Sequence, residues 1–282
     1  MELNFIGNII SGVICKIKKS VSNHYAKVGL NWWQVRLMKN MGTETRTFHF
    51  LGSTLFITNK EELIHAIDEI FIEEVYKVSL PNNALIIDCG ANIGLSALYF
   101  KLQNPTAKVI AFEPDEINFN LLHQNVDSFG LKNVELHKKA IWKEDTLITF
   151  SNEGTMSSKI ETFDSINVKK VLQIPAVRLK SLLNVPVHFL KLDIEGAEYE
   201  VIKDADDSLK NVENIFIEFH GYFSKMHELT EILSILEKQD FSFYIKEAAP
   251  NYPTPFYRKE KSKTYDIQLN IFAFNTVASK LK

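Results

Sequence analysis

The sequence predicts an α/β protein: a doubly wound, mostly parallel sheet over residues 81–282, preceded by an accessory region of helices and a hairpin over residues 1–80. Three observations predict it. After the turn Pro81-Asn82-Asn83, short apolar runs of strand length alternate with longer segments of helical period. Several of those runs end in an acid, at Asp88, Glu113, Asp193 and Glu218, where the strands of an open sheet meet their loops. A composition of 45% apolar and 24% charged residues suits a chain that buries a full core.

In the accessory region, residues 5–17 (FIGNIISGVICKI) set Ile6, Ile9, Val13 and Ile17 on one helical face. The run is too short to span a bilayer, and Lys16, Lys18 and Lys19 follow it, whereas a secretory signal carries its charge in front. A helix docked on its own core or on a partner is expected, with weak contact to a membrane surface as the alternative. Residues 46–58 read as a hairpin around Gly52, and residues 61–78 as a helix rich in both signs of charge.

In the main region, strands are predicted over residues 84–88, 108–112, 134–137, 187–192, 215–219, 241–245 and 267–274. Helices are predicted over 92–102, over 116–129 with Gly130 as its stop, from 197 onward, and over 226–238. Residues 146–150 add an edge strand in a longer connection. The last two strands lack a long helix between them, so they should pair as an antiparallel hairpin at one edge.

Residues 84–96, A-L-I-I-D-C-G-A-N-I-G-L-S, place Asp88, Gly90 and Gly94 at a strand-to-helix turn. Glycine permits a tight turn and lets backbone N–H groups approach a ligand. The turn has no lysine and no G-K-[ST], which argues against a triphosphate cradle. Gly90 and Gly94 are spaced G-x-x-x-G, so the pyrophosphate fingerprint G-x-G-x-x-G is missing as well. Asp88 would repel a pyrophosphate and suits an ammonium group. Glu113 ends the next strand nineteen residues beyond Gly94, where a carboxylate can accept the hydroxyls of a ribose. A ligand with a ribose and an ammonium group but no pyrophosphate is expected, and S-adenosylmethionine fits.

The ordered set Tyr76, I-D-C-G-A-N-I-G (87–94), I-A-F-E-P-D (110–115), G-T-M-S-S (154–158), K-L-D-I-E-G-A-E (191–198) and I-E-F-H (217–220) resembles the FkbM-type S-adenosylmethionine-dependent methyltransferases over about residues 65–225. D-I-E-G-A-E is the most specific piece. The resemblance implies a Rossmann-like, seven-stranded sheet whose last strand is antiparallel. It also implies O-methylation of a small molecule, a sugar or another glycan or natural-product hydroxyl. Carried onto matching positions, it puts Asp88 and Gly90 at the methionine moiety, Asn92 near its carboxylate and Glu113 on the ribose, with Tyr76 and Gly94 in the same cofactor set. The third strand runs on into H-K-K-A-I-W (137–142), where many methyltransferases carry an acid against the adenine amino group. Lys139 cannot accept that bond, so the backbone near Ala140 is expected to hold adenine.

Methyl transfer to a hydroxyl needs a positioned acceptor, exclusion of water and a base for the acceptor proton. Asp193, Glu195, Glu218 and His220 fall on the expected edge and are the candidates, with Asp193 also touching the cofactor. Each has a plainer role available. Asp193 could hold loop N–H groups, Glu195 could cap the following helix, and His220 could be a packed core residue. Glu198 and Glu200 read as solvated helix acids. Lys191, if buried, needs a carboxylate, and Glu218 is the expected partner. Asp193, Glu218 and His220 could instead hold a divalent cation, but nothing in the spacing demands one, and a metal-free base is preferred. Residues 251–265 mix aromatics, prolines and cations and form a candidate lid, with Tyr252, Phe256 and Tyr257 to stack on a sugar and Arg258 or Lys259 to meet an anion.

A formal charge of −3 supplies no global basic field, so a nucleic-acid partner is not expected. Cys15 and Cys89 are too few and too far apart for a disulfide framework or a zinc site, which suits a reducing cytoplasm. Two rival functions are a nicotinamide-dependent oxidoreductase, disfavoured by the missing G-x-G-x-x-G and by Asp88, and a non-catalytic binding module on the same fold.

Overall fold

A computed structural model describes residues 24–42, 44, 46–151, 159–161, 172–257 and 264–275. The apolar stripe at 5–17, the G-T-M-S-S segment and Arg258 and Lys259 lie outside the described residues. The chain divides into two compact units, Met1–Val78 with Gln124–Gly130, and Ser79–His123 with Leu131–Lys282.

In the first unit, α1 (Trp32–Lys39) starts at a capping box in which Asn31 and Gln34 exchange side-chain and backbone hydrogen bonds. Val35 and Met38, three residues apart, are its buried positions. The hairpin around Gly52 forms as β1 (Thr47–Phe50) and β2 (Ser53–Phe56). Its two-residue turn has positive φ at Leu51 (48°) and Gly52 (85°), the backbone twist that suits a tight hairpin. Asn125 closes the unit by accepting from Phe56 N (2.7 Å) and donating to Phe56 O (2.9 Å). The expected helix over 61–78 is shorter than its charge pattern suggested. It runs as α2 (Lys60–Ala66), capped by the Asn59 side chain, and widens into a π-helical stretch, Ile67–Ile72. Glu74, at φ 54°, lies outside the helical region and ends it.

The second unit is built on a seven-stranded sheet. Its strands are β3 (Leu85–Cys89), β4 (Lys108–Phe112), β5 (Val134–His137), β10 (Phe189–Leu192), β11 (Asn214–Gly221), β12 (Phe241–Glu247) and β13 (Ile267–Asn275). The spatial order is β12-β13-β11-β10-β3-β4-β5, parallel throughout except for β13, which runs antiparallel to both neighbours. The expected hairpin of the last two strands therefore forms, with β13 inserted beside β11 and β12 left at the edge. Helices α3 (Leu95–Gln103), α4 (Glu116–Ser128), α6 (Glu198–Ala205) and α7 (Met226–Lys238) connect the strands. Central strands are apolar almost without break because helices and loops cover them, and all four residues of β10 are buried. Chain order reverses between β3 and β10, which makes the carboxyl ends of those two strands the switch point of the sheet.

Residues 146–150 do not edge this sheet. They form β7 (Thr146–Ser151) in a separate four-stranded sheet with β6 (Ala140–Trp142), β8 (Lys159–Glu161) and β9 (Leu172–Arg178), in the order β6-β9-β7-β8. A short helix, α5 (Leu179–Leu182), leads from β9 back toward β10. Trp142, Ile148, Ile174 and Ala176 of this sheet join the core cluster that includes Ile87, Leu190 and Ile217 of the larger one.

Candidate active site

The parallel register pairs Lys191 of β10 with Asp88 of β3, so the two side chains stand side by side on one face. Both are buried. Lys191 Nζ reaches past the strand ends, donating to the Gly90 carbonyl (2.8 Å) and to Asp193 Oδ2 (3.1 Å), and lies 3.6 Å from Asp88 Oδ1. The expected Lys191–Glu218 pair is thus replaced by two acids at the switch point itself. The reason is the register: on the other side, Lys191 faces Phe216, and Glu218 lies beyond the end of β10. Asp88 Oδ2 accepts from Ser96 Oγ of α3 (2.5 Å), while Asp88 Oδ1 is buried with no hydrogen bond. Burial raises the Asp88 pKa, and the charge of Lys191 and the Ser96 bond act against that rise.

The turn after β3 is held by its neighbours. Gly90 has φ 83°, and a Cβ there would lie 1.8 Å from the Asp193 carbonyl oxygen. Glycine at this position is therefore required by the close approach of the β10 loop as well as by the turn. Asn92 sits in the turn at φ 49°, and α3 begins only at Leu95, after Gly94, so the helix starts later than residue 92. Glu113, just past β4, accepts Asn92 N on Oε2 (2.8 Å) and Asp115 N on Oε1 (2.9 Å), which ties the two strand ends together. Burial pushes its pKa up to about 7 against those two bonds.

Asp88 Oδ1 and Asn92 Oδ1 are both buried acceptors without a hydrogen bond, on one turn. Buried polar atoms are normally paired, so this turn is short of donors. Ammonium and hydroxyl groups are donors, and S-adenosylmethionine carries both. The donor-poor turn and the Glu113 carboxylate fit that group. Ala140 is buried at the start of β6, in the four-stranded sheet. Tyr76 is buried within the first unit.

The second half of the site is a knot of acids around one imidazole. His220 near the end of β11 is 4% exposed, with Nδ1 3.3 Å from Glu198 Oε1 and Nε2 3.5 Å from Glu218 Oε1 and 3.7 Å from Glu195 Oε2. Burial opposes a charge on the ring, but Glu198, Glu218 and Glu195 outweigh it and hold the His220 pKa well above the ordinary imidazole value. The carboxylates therefore favour the protonated form of the ring. Burial also pushes the Glu195 carboxyl up to about 8, with His220 opposing and Asp193, Glu198 and Glu218 adding to the rise. The side chains of Asp193 and Glu195 are each 25% exposed, so both reach solvent. One ligand atom each from Asp193, Glu195 and His220 lie within 4.8 Å of one another, a spacing a divalent cation could use in place of the imidazole proton.

Glu198 is not the solvated helix acid its spacing suggested. It is 1% exposed and folds back on its own loop, accepting from Ile194 N and Gly196 N (3.1 Å each). Glu200 is only partly buried and pairs with Lys143 at 2.8 Å. The same loop is fixed from above by Tyr265, whose hydroxyl donates to the Glu195 carbonyl (2.8 Å) and whose ring is packed against Gly196 and His220. Glu195 itself has φ 56°, a strained backbone held by these contacts. Sequence reasoning passed over Ser96 and Tyr265 and placed Glu198 on the solvated face of a helix. A signal existed only for Glu198, as the third acid of D-I-E-G-A-E. In the candidate lid, Tyr252 donates to Asp266 (2.7 Å) and stacks on Phe223, while Phe256 and Tyr257 are exposed.

The described residues contain no helix long and apolar enough to cross a membrane. Residues 88–243 match the model of the methyltransferase FkbM domain. The chain is 27% identical over 219 residues to Methyltransferase 1 of Beauveria bassiana (strain ARSEF 2860), covering 69% of this chain and 85% of that protein. It is 30% identical over 186 residues to Methyltransferase sdnD of Sordaria araneosa, covering 53% and 72%. It is 23% identical over 220 residues to the 31-O-demethyl-FK506 methyltransferase FkbM of Streptomyces tacrolimicus, covering 64% and 84%. The match spans the Asp88 turn, Glu113, the D-I-E-G-A-E loop and His220, and the chain belongs to the FkbM methyltransferase family, whose methyl donor is S-adenosylmethionine.

Proposed function

We propose that this methyltransferase acts on oxygen, methylating a hydroxyl of a sugar, a glycan precursor or a related small molecule, with a carboxylate as the base. The observation that carries the reading is the cluster of Asp193, Glu195 and Glu218 around His220, joined to the cofactor turn through Lys191 and through the Gly90–Asp193 contact. The name of the Streptomyces relative, a 31-O-demethyl-FK506 methyltransferase, supports an oxygen acceptor.

The residues divide the work. Asp88, Gly90, Asn92, Gly94 and Glu113 hold S-adenosylmethionine, which supplies an electrophilic methyl group when bound. Glu195 takes the hydroxyl proton on a carboxylate oxygen. Its raised pKa of about 8 puts it close to working pH, where a general base is most effective. Both ring nitrogens of His220 face carboxylates, which favour its protonated form, so it serves to keep three acids within one site. Asp193, tethered by Lys191, orients the acceptor through hydrogen bonds.

The test is a screen of sugar and small-molecule hydroxyl acceptors for release of S-adenosylhomocysteine, followed by a pH profile on any acceptor found. The rate should rise through about pH 8, and Glu195→Gln should lose that limb. A methyl group found on nitrogen or carbon would overturn the oxygen assignment. A chelator should leave the rate unchanged. Loss of activity restored by a divalent ion would instead make Asp193, Glu195 and His220 a metal centre.

A further inference from the structure

We propose that the outward face of α1 is a docking surface for a lipid bilayer with anionic headgroups. Trp33 and Leu37 stand opposite Val35 and Met38, which face the core, and are 67% and 66% exposed, with Trp32 at the flank at 38%. Scattered single apolar residues on a surface need no explanation, but three on one arc of an eight-residue helix form a patch. Trp33 and Leu37 are one turn apart, and the Trp32 and Trp33 rings meet edge to face at 4.4 Å. The helix is far too short to cross a bilayer, so its use is at the interface.

Charge identifies the occupant. Between Glu2 and Glu44 the chain holds Lys16, Lys18, Lys19, Lys27, Arg36 and Lys39 and no acid, although acids outnumber lysine and arginine 35 to 32 overall. Arg36 and Lys39 lie on α1 itself, the guanidinium 5.3 Å from the Trp32 ring centre and the ammonium 5.6 Å from that of Tyr25. Indole rings flanked by cations suit the headgroup region: the rings enter the acyl boundary while the charges meet phosphate. A short apolar patch alone binds weakly, and adjoining cations supply the second attraction that holds a peripheral protein. An acidic protein surface would satisfy the cations but not the exposed indoles. The surface does not depend on the identity of the methyl acceptor.

Co-flotation of the full chain with vesicles of phosphatidylcholine alone, and of phosphatidylcholine with phosphatidylglycerol, tests this. Binding to the anionic vesicles only is expected, weakening as salt is added. Trp33→Ser with Leu37→Ser should cut the partition coefficient by roughly tenfold or more. Arg36→Gln with Lys39→Gln, which leaves the apolar patch intact, should cut it by roughly fivefold or more. Unchanged circular dichroism and S-adenosylmethionine affinity confirm that the variants are folded. Absence of binding to anionic vesicles, or binding that both variants retain in full, overturns the proposal. So does a dimer found without lipid by sedimentation and dissolved by Trp33→Ser with Leu37→Ser, which would give the face to a second copy of the chain.

Discussion

At the β3–β4 edge, Asp88 and Glu113 are met by a hydroxyl and by backbone N–H groups of the turns beside them, and some acceptor capacity is left over. At the β10–β11 edge, Glu195, Glu198 and Glu218 are met by one buried imidazole ring, and a tyrosine from before β13 secures the loop. The first arrangement suits a ligand that brings donors. The second holds more acids than its one ring can neutralise, so one of them is kept near its neutral form. Lys191 links the two, with Asp88 on one side and Asp193 on the other. On the proposed assignment the two edges are separable by mutation: one would govern affinity for the donor, the other the proton.

The largest expected effect is on turnover. Glu195→Gln keeps the size of the side chain but removes the base, and should reduce the rate by roughly 10²–10⁴-fold while donor binding persists. A single-turnover measurement checks this, and an unchanged rate would move the base away from this edge. Next comes Gly90→Val, which should break the separation by damaging both edges together. Its Cβ would collide with the Asp193 carbonyl, and a β-branched residue at φ 83° adds strain, for a loss of about 3 kcal/mol or more. Urea unfolding measures it, and a midpoint equal to that of the parent chain would show that the two loops part easily.

The smallest effect is a pH dependence confined to the proton edge. His220 binds its proton more tightly when folded, so its stabilisation is complete below its ordinary pKa of 6.5 and is lost as pH rises through the raised folded value. Glu195 acts with the same sign. Between its ordinary 4.5 and about 8 the folded chain holds a proton that the unfolded chain has released, so stability falls as pH rises. Glu198→Gln should lower the His220 pKa and move the upper part of that fall to lower pH. Urea midpoints taken across the range, with histidine NMR titration, give the answer. An unchanged His220 titration in the variant would show that Glu198 does not hold the charge.

The β3–β4 edge was legible in the sequence because its parts are local: a strand, an acid, a glycine turn, and a second acid one crossover later. The β10–β11 edge was legible only as a set of residue types. D-I-E-G-A-E and I-E-F-H name the acids and the histidine, but their protonation comes from burial and from the contacts of Glu195 with Tyr265 and of Glu198 with His220. Periodicity misjudged Glu198 because a carboxylate in the first turn of a helix looks solvated until the loop before it folds back. It placed Lys191 against Glu218 because strand register cannot be read without the sheet. The four-stranded sheet escaped for a related reason: β6 and β8 are three residues each, too short to carry a period, and β9 contains Pro175. The larger sheet was readable because most of its parallel strands are short, largely apolar runs that alternate with longer helices.

The separation of the two edges is tested most directly by calorimetric titration of S-adenosylmethionine into the parent chain, Glu113→Gln and Glu195→Gln. The account predicts that the parent binds, that Glu113→Gln loses about 1.5–3 kcal/mol of binding free energy through weaker charge-assisted bonds, and that Glu195→Gln binds as the parent does. Equal losses in both variants, or full affinity in Glu113→Gln, would contradict it.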